Sequence, residues 1–385
     1  MMKRIIRKSL DLLCEKYIRT VRRRRELLKF SDNRRKRLYE SIHLSRKEKD
    51  EIDLLYKKNY GEKIPHIWHR HYTAFSGNFD KFYFPELLYI PELERYLNIF
   101  SSYSNVFSDK NVIPFVAESS KVNSPRVLFS RNKGMYRDCN NERIDSKTFF
   151  EKISNIGECF IKPSVDSNSG NRCFLSYLNN GYDENNDISI ENLFSNLGSD
   201  FVVQEKITCH SSLTQIYSKS VNTFRVISYR WKDCIYTVPS VMRIGRGGHF
   251  LDNAHAGGIF VAIDDDGTLH RKAFTEFKQE FLKHPDTGFV FANCKLSYFP
   301  QILIAAKKIH EKIPQIGVIN WDFTINENGE PVIIEGNMMG GGIWLPQMAH
   351  GRGPFGERTP EILEWMRRMR SYSLNEKKKF AFGAG

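Results

Sequence analysis

The sequence predicts an α/β protein with a helical, basic N-terminal extension. Short apolar segments with strand-like alternation recur between residues 126 and 335, and amphipathic helical segments stand between and after them. Residues 1–60 instead carry apolar side chains at helical spacing among many basic ones. A chain of 385 residues has room for a large core and for two or three subdomains.

The net charge of +13 is concentrated at the N-terminus. Residues 1–60 hold 20 Lys and Arg against 9 Asp and Glu, so the remainder of the chain is nearly neutral. The basic character therefore belongs to one segment and not to the body of the protein.

Cysteine usage and hydropathy favour a cytoplasmic protein. The seven cysteines occur singly, a pattern typical of reduced thiols and not of a disulfide framework or a zinc site. No run of about 18 apolar residues could span a membrane, and the N-terminus lacks the apolar core of a secretory signal. We expect a cytoplasmic location, with peripheral attachment at the inner face of the membrane left open.

The basic extension has one apolar stripe along a helix. A helix of this kind binds an anionic membrane or nucleic acid; the alternative is an appendage that packs its stripe on the body and leaves its charges in solvent. We expect an anionic membrane surface as the candidate partner and no nucleic acid. The stripe comprises Ile5, Ile6, Leu10, Leu13, Tyr17 and Val21.

A strand that ends in a lysine precedes a loop of small residues. The strand Gly157–Lys162 is followed by Pro163 and the loop Ser164–Gly170. Small residues let backbone N–H groups approach a ligand closely, and nests of such groups attract phosphate. Alone this signal is weak, because most such loops are only turns. Residues 178–199, polar and rich in asparagine, are expected to form a surface loop or insertion.

Arginines accompany a glycine-rich loop in the second half of the chain. The alternation that begins at residue 221 puts Arg225 on the strand face opposite to Phe224. Arg243 and Arg246 frame the following glycine-rich loop and are well placed to meet anionic groups.

The same region contains histidines and carboxylates that could suggest a second metal. Their spacing matches no ligand geometry, so we expect ordinary loop hydrogen bonds instead. The residues are His249, Asp252, Asn253 and His255.

The segment Gly317–Asn337 reads as a hairpin that carries three oxygen ligands. Two apolar strands flank a turn, and Glu335 and Asn337, two residues apart, face the same way. Folding about the turn brings Asp322 opposite them. Asp322 stands between Trp321 and Phe323, a poor place for a carboxylate unless its charge is compensated. Oxygen ligands without sulfur or imidazole suit Mg²⁺. The alternative is a hairpin with polar residues on its solvent-facing side; the apolar neighbours of Asp322, together with the motif resemblance described below, favour a metal site.

Several motifs agree in order and spacing with the ATP-grasp superfamily. The sequence most resembles its sugar-transfer-associated branch, linked to polysaccharide and teichuronopeptide biosynthesis, over roughly residues 85–355. The D-x12-E-x-N spacing of the hairpin resembles the superfamily's magnesium triad. The sequence motifs at residues 220–226 and 243–258 resemble motifs typical of this branch. Further similar motifs are SDK (Ser108–Lys110), FIKP (Phe160–Pro163) and VVQEKI (Val202–Ile207).

The resemblance implies an ATP-grasp fold in which two α+β lobes hold ATP between them. It implies that Lys110 and Lys162 hold the phosphates and that Gln204, with the backbone of Glu205 to Ile207, reads adenine. It also implies a magnesium site. The implied metal ligands are Asp322, Glu335 and Asn337.

One position departs from the superfamily pattern. Related peptide ligases often carry an arginine two residues before the first metal aspartate, where it steadies an acyl phosphate, and here that position is Asn320. We expect the role to pass to Arg225, Arg243 or Arg246, or the acceptor to differ.

The resemblance implies a carboxylate–amine ligase that uses ATP and Mg²⁺ and passes through an acyl phosphate. The partners would be a small-molecule or glycan-linked carboxylate, such as a sugar acid or amino acid in cell-surface polysaccharide biosynthesis, and an amine. Two rivals are an ATP-dependent kinase of a glycan-related acceptor and a non-catalytic glycan-pathway or nucleic-acid-binding protein.

The expected domain organisation has five parts. They are a basic helical extension (1–60), an aromatic-rich cap (61–105), an N-terminal and central ATP-grasp lobe (106–210), a C-terminal ATP-grasp lobe with the magnesium site (211–360), and a C-terminal helix with a basic tail (361–385).

Overall fold

The computed structural model describes residues 2–165 and 172–383. Residues 166–170 of the predicted phosphate-binding loop lie outside the described residues, so that part of the prediction stays a prediction. The helices are α1 (Met2–Lys29), α2 (Asn33–Glu40), α3 (Arg46–Asn59), α4 (Ile67–Ser76), α5 (Glu86–Leu88), α6 (Glu94–Leu97), α7 (Ser101–Phe107), α8 (Ile113–Ser119), α9 (Ser146–Ile153), α10 (Ile190–Leu197), α11 (Ser211–Thr214), α12 (Phe299–Glu311), α13 (Trp344–His350), α14 (Thr359–Met369) and α15 (Leu374–Lys379). The strands are β1 (Val127–Asn132), β2 (Met135–Arg137), β3 (Arg143–Ile144), β4 (Gly157–Pro163), β5 (Phe174–Asn179), β6 (Tyr182–Asp183), β7 (Ile188–Ser189), β8 (Phe201–Glu205), β9 (Thr223–Trp231), β10 (Cys234–Thr237), β11 (Ser240–Ile244), β12 (Ile259–Ile263), β13 (Leu269–Phe274), β14 (Glu280–Phe281), β15 (Val318–Ile325) and β16 (Pro331–Asn337).

Two antiparallel sheets form the two lobes. The first sheet has the strand order β3-β2-β1-β8-β4-β5-β6-β7. The second has the order β14-β13-β12-β11-β9-β15-β16, and β10 pairs with β9 beyond the end of β11. Helices α1 to α4 precede both sheets. This arrangement confirms the predicted combination of α+β lobes with a helical N-terminal extension.

The second sheet ends in the predicted hairpin. Its strands β15 and β16 pair in the register that sets Asp322 opposite Glu335 and Asn320 opposite Asn337. Gly329 in the turn has a φ of +80°, and a Cβ there would lie 2.4 Å from the ring of Tyr298. Glycine is therefore required at this position. The prediction that the chain turns Asp322 toward Glu335 is confirmed.

Strand alternation divides the side chains of the second sheet between two faces. One face buries Phe224, Val226 and Trp321 against α12 in a continuous apolar core. The other packs Ile227 and Tyr229 against the N-terminal and C-terminal helices. Toward one end of this second face charged side chains replace the apolar ones. The site and the N-terminal helices therefore share one face of one sheet.

Helix α1 packs on the body through its charged side chains. Glu15 is buried, accepts from Nη1 of Arg95 at 2.8 Å and forms an ion pair with Lys377. One turn later Arg19 donates to Glu92 at 2.9 Å. The opposite side of the helix is exposed. The exposed apolar residues on that side include Ile6, Leu10, Leu13 and Tyr17.

This orientation contradicts the alternative in which the apolar stripe packs on the body. Four residues of the stripe, Ile6, Leu10, Leu13 and Tyr17, face solvent, and Val21 is half-buried. The buried ion pairs and hydrogen bonds of Glu15 and Arg19 hold the other side of α1 inward. Charges that leave water need partners, and the body supplies them.

The prediction of a surface loop at residues 178–199 was wrong. This segment contains β6, β7 and α10, and α10 contributes to the core of the first lobe. Its apolar residues recur at helical spacing, which polar neighbours obscured in the sequence. The residues that α10 buries are Ile190, Leu193, Phe194 and Leu197.

Candidate active site

A cleft of about 960 Å³ lies between the two sheets and continues beside the N-terminal helices. Strands β4 and β8 line it from the first lobe, strands β9, β11, β15 and β16 from the second, and helices α1, α2 and α4 from the extension and cap. The predicted site residues that line it are Lys110, Lys162, Gln204, Glu205, Ile207, Arg225, Arg243, Asp322, Glu335 and Asn337.

The hairpin brings the three predicted metal ligands to one wall of the cleft. Asp322 and Glu335 are cross-strand partners, and Asn337 lies on the same face two residues after Glu335. Nδ2 of Asn337 donates to Oε1 of Glu335 at 3.3 Å. Asp322 is buried, whereas Glu335 and Asn337 are partly exposed to the cleft. Three side chains with oxygen donors therefore converge there.

Two arginines neutralise the buried Asp322. Arg225, its cross-strand neighbour on β9, donates from Nε and Nη2 at 2.7 and 3.1 Å, and Nη2 of Arg243 lies 3.1 Å from Oδ2. Burial raises the pKa of Asp322, but the two guanidinium groups outweigh this effect and hold the pKa below its ordinary value. Asp322 is therefore a carboxylate at neutral pH.

Thr223 and Asp252 hold Arg243 in place. Nε and Nη2 of Arg243 donate to the Thr223 hydroxyl at 3.0 and 2.8 Å, and Nη2 lies 3.4 Å from Asp252. The hydroxyl of Thr223 in turn donates to Asp252. No motif in the sequence assigned Thr223 or Asp252 to the site. Strand alternation was the available signal, since it puts Thr223 on the same face as Arg225.

Two lysines approach the hairpin from other elements. Nζ of Lys110 lies 3.6 Å from Oε2 of Glu335, and the Lys110 backbone N–H donates to Ser164, two residues after Lys162, at 2.9 Å. Lys162 is 4% exposed, and no carboxylate of the described residues lies within 4.0 Å of its Nζ. Burial lowers the pKa of Lys162 to about 8. A buried cation without an ion-pair partner is suited to an anionic ligand.

The residues predicted to hold adenine lie at the end of β8. Gln204 is buried, and Glu205 and Ile207 follow it along the wall of the cleft. The carboxylate of Glu205 accepts from the backbone N–H of Arg126 at 3.0 Å, so its side chain joins β8 to the start of β1. The apolar ring of Phe160 lines the cleft beside them. An adenine ring bound here would contact the backbone at the end of β8 and the apolar ring of Phe160.

The structure does not bring Arg246 to this cluster. Its Nε donates to the backbone carbonyl of Gly257 at 2.6 Å, and its guanidinium lies 5.4 Å from the ring centre of Phe281. Asn320, which stands where related ligases often have an arginine, donates from its Nδ2 to the backbone carbonyl of Gly342 at 2.9 Å. Of the arginines considered for the role absent at Asn320, Arg225 and Arg243 lie in the cleft.

Two of the loop residues considered for a second metal, Asn253 and His255, make hydrogen bonds with their neighbours, whereas Asp252 contacts Arg243 and Thr223 in the cleft. Nδ1 of His255 lies 2.7 Å from Glu276, and Asn253 accepts from the backbone N–H of His255 at 3.1 Å. A separate group, Asp264, His270 and His350, has potential ligand atoms within 4.8 Å of one another. It does not line the cleft.

Fixed charges in the cleft slightly favour an anionic ligand. Around the hairpin four basic side chains face three carboxylates, and the whole lining of the cavity holds eight Lys and Arg against seven Asp and Glu. A small positive excess in a partly desolvated cleft attracts phosphate groups. The basic residues are Lys110, Lys162, Arg225 and Arg243, and the acidic ones are Asp252, Asp322 and Glu335.

Comparison with protein families identifies the chain. The model of a family described as sugar-transfer-associated ATP-grasp matches residues 91–361, more than half of the sequence. The chain belongs to the sugar-transfer-associated ATP-grasp family. A sequence search of curated proteins gave no match.

Solved structures to which this chain is similar include several ligases. The VanG D-Ala:D-Ser ligase of Enterococcus faecalis is 13% identical with a TM-score of 0.40, covering 70% of this chain and 61% of its own. The D-alanine–D-alanine ligase of Bacillus anthracis in complex with ATP is 13% identical with a TM-score of 0.39, covering 72% and 69%. An L-amino acid ligase of Bacillus licheniformis is 10% identical with a TM-score of 0.35, covering 70% and 48%. The chain thus spans about three fifths of the VanG ligase.

Replacing Lys162 by methionine should stabilise the ligand-free protein while weakening ATP binding. The substitution removes a buried cation without an ion-pair partner among the described residues, so the free energy of unfolding should rise by about 1 to 3 kcal/mol at pH 7. The loss of charge beside the phosphates should weaken ATP binding more than tenfold. Chemical denaturation and calorimetry measure the two effects.

The pH dependence provides a further check on Lys162. Between its folded pKa of about 8 and its ordinary value of 10.5, the unfolded chain binds the proton and the folded chain does not. Stability of the wild type should therefore rise through this window, relative to the variant. Lys147→Met, at an exposed position, serves as the control. Unchanged ATP affinity in Lys162→Met would contradict the phosphate-binding assignment.

Proposed function

We propose that this ATP-grasp protein is an ATP- and Mg²⁺-dependent carboxylate–amine ligase. The observation that carries the proposal is the hairpin, which presents Asp322, Glu335 and Asn337 to a cleft that also contains two lysines and two arginines. Membership of the ATP-grasp family supports nucleotide binding at this cleft.

The donor set fits a magnesium ion. Glu335 and Asn337 offer oxygen atoms at the cleft surface, and Asp322 is ionised. Magnesium prefers one or two carboxylates with phosphate oxygens completing its shell. Asp322, Glu335 and Asn337 would hold the ion, which would supply positive charge to offset the negative charge that develops during phosphoryl transfer.

The basic side chains have separable roles in this proposal. Lys110 and Lys162 hold the phosphates as point charges. Arg225 and Arg243, already oriented by Asp322 and Thr223, present planar guanidinium groups toward a phosphoryl group or acyl phosphate. These groups are positioned before the ligand arrives, so little reorganisation is needed at the moment of reaction.

The proposed reaction joins a carboxylate to an amine. A substrate carboxylate oxygen attacks the γ-phosphorus of ATP, which releases ADP and leaves an acyl phosphate. The nitrogen of the neutral amine then attacks the acyl carbon, the bond from that carbon to the phosphate oxygen breaks, and phosphate leaves with one proton from the nitrogen, which gives an amide. As the carboxylate we propose a sugar acid or an amino acid of a cell-surface glycan precursor, because the family is described as sugar-transfer-associated. Positioning and electrostatics supply the catalysis.

Glu335→Gln should reduce ATP-dependent phosphate release at least about a hundredfold, because the change removes a metal-ligand charge worth several kcal/mol to the transition state. A phosphate-release assay with sugar acids and amino acids offered in pairs measures this effect. Glu327→Gln, an exposed carboxylate in the turn of the same hairpin, should retain full activity. Wild-type turnover in Glu335→Gln would remove the metal assignment.

We also propose that the protein acts in the cytoplasm and attaches peripherally to the inner face of the membrane through α1. None of the described helices is long and apolar enough to cross a bilayer. The outward side of α1 instead carries an apolar stripe, with Leu13 64% and Tyr17 71% exposed. Ion pairs hold the inward side, so the stripe stays accessible.

Charge complementarity favours an anionic lipid surface as the occupant of this stripe. Exposed basic residues flank it on both sides of the helix. Each basic residue near an anionic surface contributes about 1 kcal/mol, and apolar side chains add their burial in the interfacial region. The flanking residues are Arg7, Lys16, Arg24 and Arg25.

The double substitution Leu13→Glu, Tyr17→Glu should reduce binding to vesicles of phosphatidylglycerol and phosphatidylcholine in equal parts at least tenfold. Both side chains are exposed, so the fold should persist, while their burial in lipid is replaced by repulsion. Co-sedimentation of nuclease-treated protein measures binding. The control Leu54→Glu alters an exposed leucine of α3 and should bind normally.

Two outcomes would contradict the membrane proposal. In one, the wild-type protein fails to bind these vesicles at low salt. In the other, the double variant binds as well as the wild type. A change from dimer to monomer in the variant would identify the stripe as a contact between two copies instead.

A further inference from the structure

The part of the cleft beyond the hairpin is built by residues outside the region that matches the family. Helix α1 contributes Glu26, helix α2 contributes Arg35, and the cap contributes Tyr72 and Glu86. The family match begins only at residue 91. This end of the cleft, which we call the acidic subsite, is therefore a feature of the N-terminal extension and cap.

Glu86 is the unusual residue of the acidic subsite. It is 5% exposed and lines the cleft. Its Oε1 accepts from the backbone N–H of Ile343 at 2.7 Å, but its buried Oε2 has no hydrogen-bond partner among the described residues. A buried carboxyl oxygen without a partner is costly, and such an atom beside a cavity indicates a ligand that supplies the missing contact.

The basic side chains around the acidic subsite have other partners. Nζ of Lys29 lies 2.8 and 3.0 Å from the two oxygens of Glu26, and Nη2 of Arg35 lies 2.5 Å from Glu276. Glu86 therefore has no ion-pair partner among the described residues. Burial, with the nearby charge of Glu26, raises the pKa of Glu86 to about 8. A carboxyl group in this state gains most from a ligand that is a cation.

We propose that Glu86, with Glu26 beside it, binds the ammonium group of the amine substrate, and that Oε2 of Glu86 accepts its proton. The inference rests on the proposed ligase function and names the chemical class of one substrate, a primary amine that is protonated in water. Lys29 and Arg35 are already paired with Glu26 and Glu276, so the carboxyl group of Glu86, which has no such partner among the described residues, disfavours an anion there.

The proton balance of the amine step fits this assignment. An ammonium nitrogen has no lone pair and cannot attack an acyl phosphate. Transfer of one proton from nitrogen to Oε2 of Glu86 breaks one N–H bond, leaves a neutral amine with a lone pair and makes Glu86 a neutral carboxylic acid. The amine nitrogen then forms a bond to the acyl carbon, the bond from that carbon to the phosphate oxygen breaks, and the departing phosphate takes a second proton from the nitrogen, which leaves a neutral amide. A base within hydrogen-bond reach of the nitrogen is what this step requires.

A short glycine-rich segment connects the acidic subsite to the metal hairpin. Gly341 packs so closely on Asn320 that a Cβ added to Gly341 would lie 2.6 Å from the Asn320 side chain. The Asn320 side chain also donates a hydrogen bond to the backbone carbonyl of Gly342. The next residue, Ile343, donates to Glu86. The same segment therefore contacts the hairpin at one end and the carboxyl group of Glu86 at the other.

The test compares Glu86→Gln with Glu94→Gln. Glu94 is a matched control, because it is also a buried carboxyl group that accepts a backbone N–H of this segment, from Gly341 at 3.0 Å, but it does not line the cleft. Calorimetry at pH 7 in two buffers of different ionisation enthalpy counts the protons released when an amine binds. The probes are ethanolamine, glycinamide and 1,4-diaminobutane, with ethylene glycol as the neutral comparison.

The wild type and Glu94→Gln should bind at least one of the amines with release of nearly one proton, because binding converts protonated Glu86 into a carboxylate. Glu86→Gln should bind the same amine about thirtyfold more weakly and release none. Equal affinity and equal proton release in Glu86→Gln, or no binding of any amine by the wild type, would overturn the assignment.

A separate titration distinguishes this inference from the proposed function. Binding of a non-hydrolysable ATP analogue with Mg²⁺ should be the same in the wild type, Glu86→Gln and Glu94→Gln. If the analogue does not bind the wild type, the ligase proposal fails, whatever the amine result. If the analogue binds and the amines do not, the acidic subsite alone is rejected.

Discussion

The salt bridge between the buried Asp322 and the two arginines of β9 and β11 organises this molecule. A carboxylate in the middle of a sheet would be strongly destabilising without these partners, and Arg225 provides two donors at 2.7 and 3.1 Å. The salt bridges of Asp322 in turn determine which face of the sheet lines the cleft. Because strands alternate, the opposite face is free to pack as an apolar core around Trp321. The ligand-binding surface and the stable core are thus two sides of one sheet.

The N-terminal extension depends on the same principle. Its helix α1 buries charges in pairs, such as Glu15 with Arg95, and leaves apolar side chains outside. The extension covers the cleft because it packs on the face of the sheet that carries the site. In our proposals this one helix has two functions, since its inward side completes the acidic subsite and its outward side meets the membrane. Substrate recognition and location would then be coupled through a single element.

The parts of the fold that the sequence predicts are those set by local geometry. The hairpin follows from a turn and a period of two, which bring Asp322 opposite Glu335. The orientation of α1 could not be derived, because it depends on partners such as Lys377, more than 300 residues away. Helix α10 was missed since polar neighbours masked its apolar spacing, and the role of Glu86 depends on contacts with a segment that begins more than 250 residues later.

The most direct test of this account is a crystal structure of the protein with Mn²⁺, in place of Mg²⁺, and a non-hydrolysable ATP analogue. Anomalous scattering locates the metal without reference to the chemistry. A metal peak is expected at about 2.1 Å from oxygens of Asp322, Glu335 and Asn337, with the phosphates between Lys110 and Lys162. A metal or nucleotide bound elsewhere, with Glu335 still facing Lys110 alone, would contradict it.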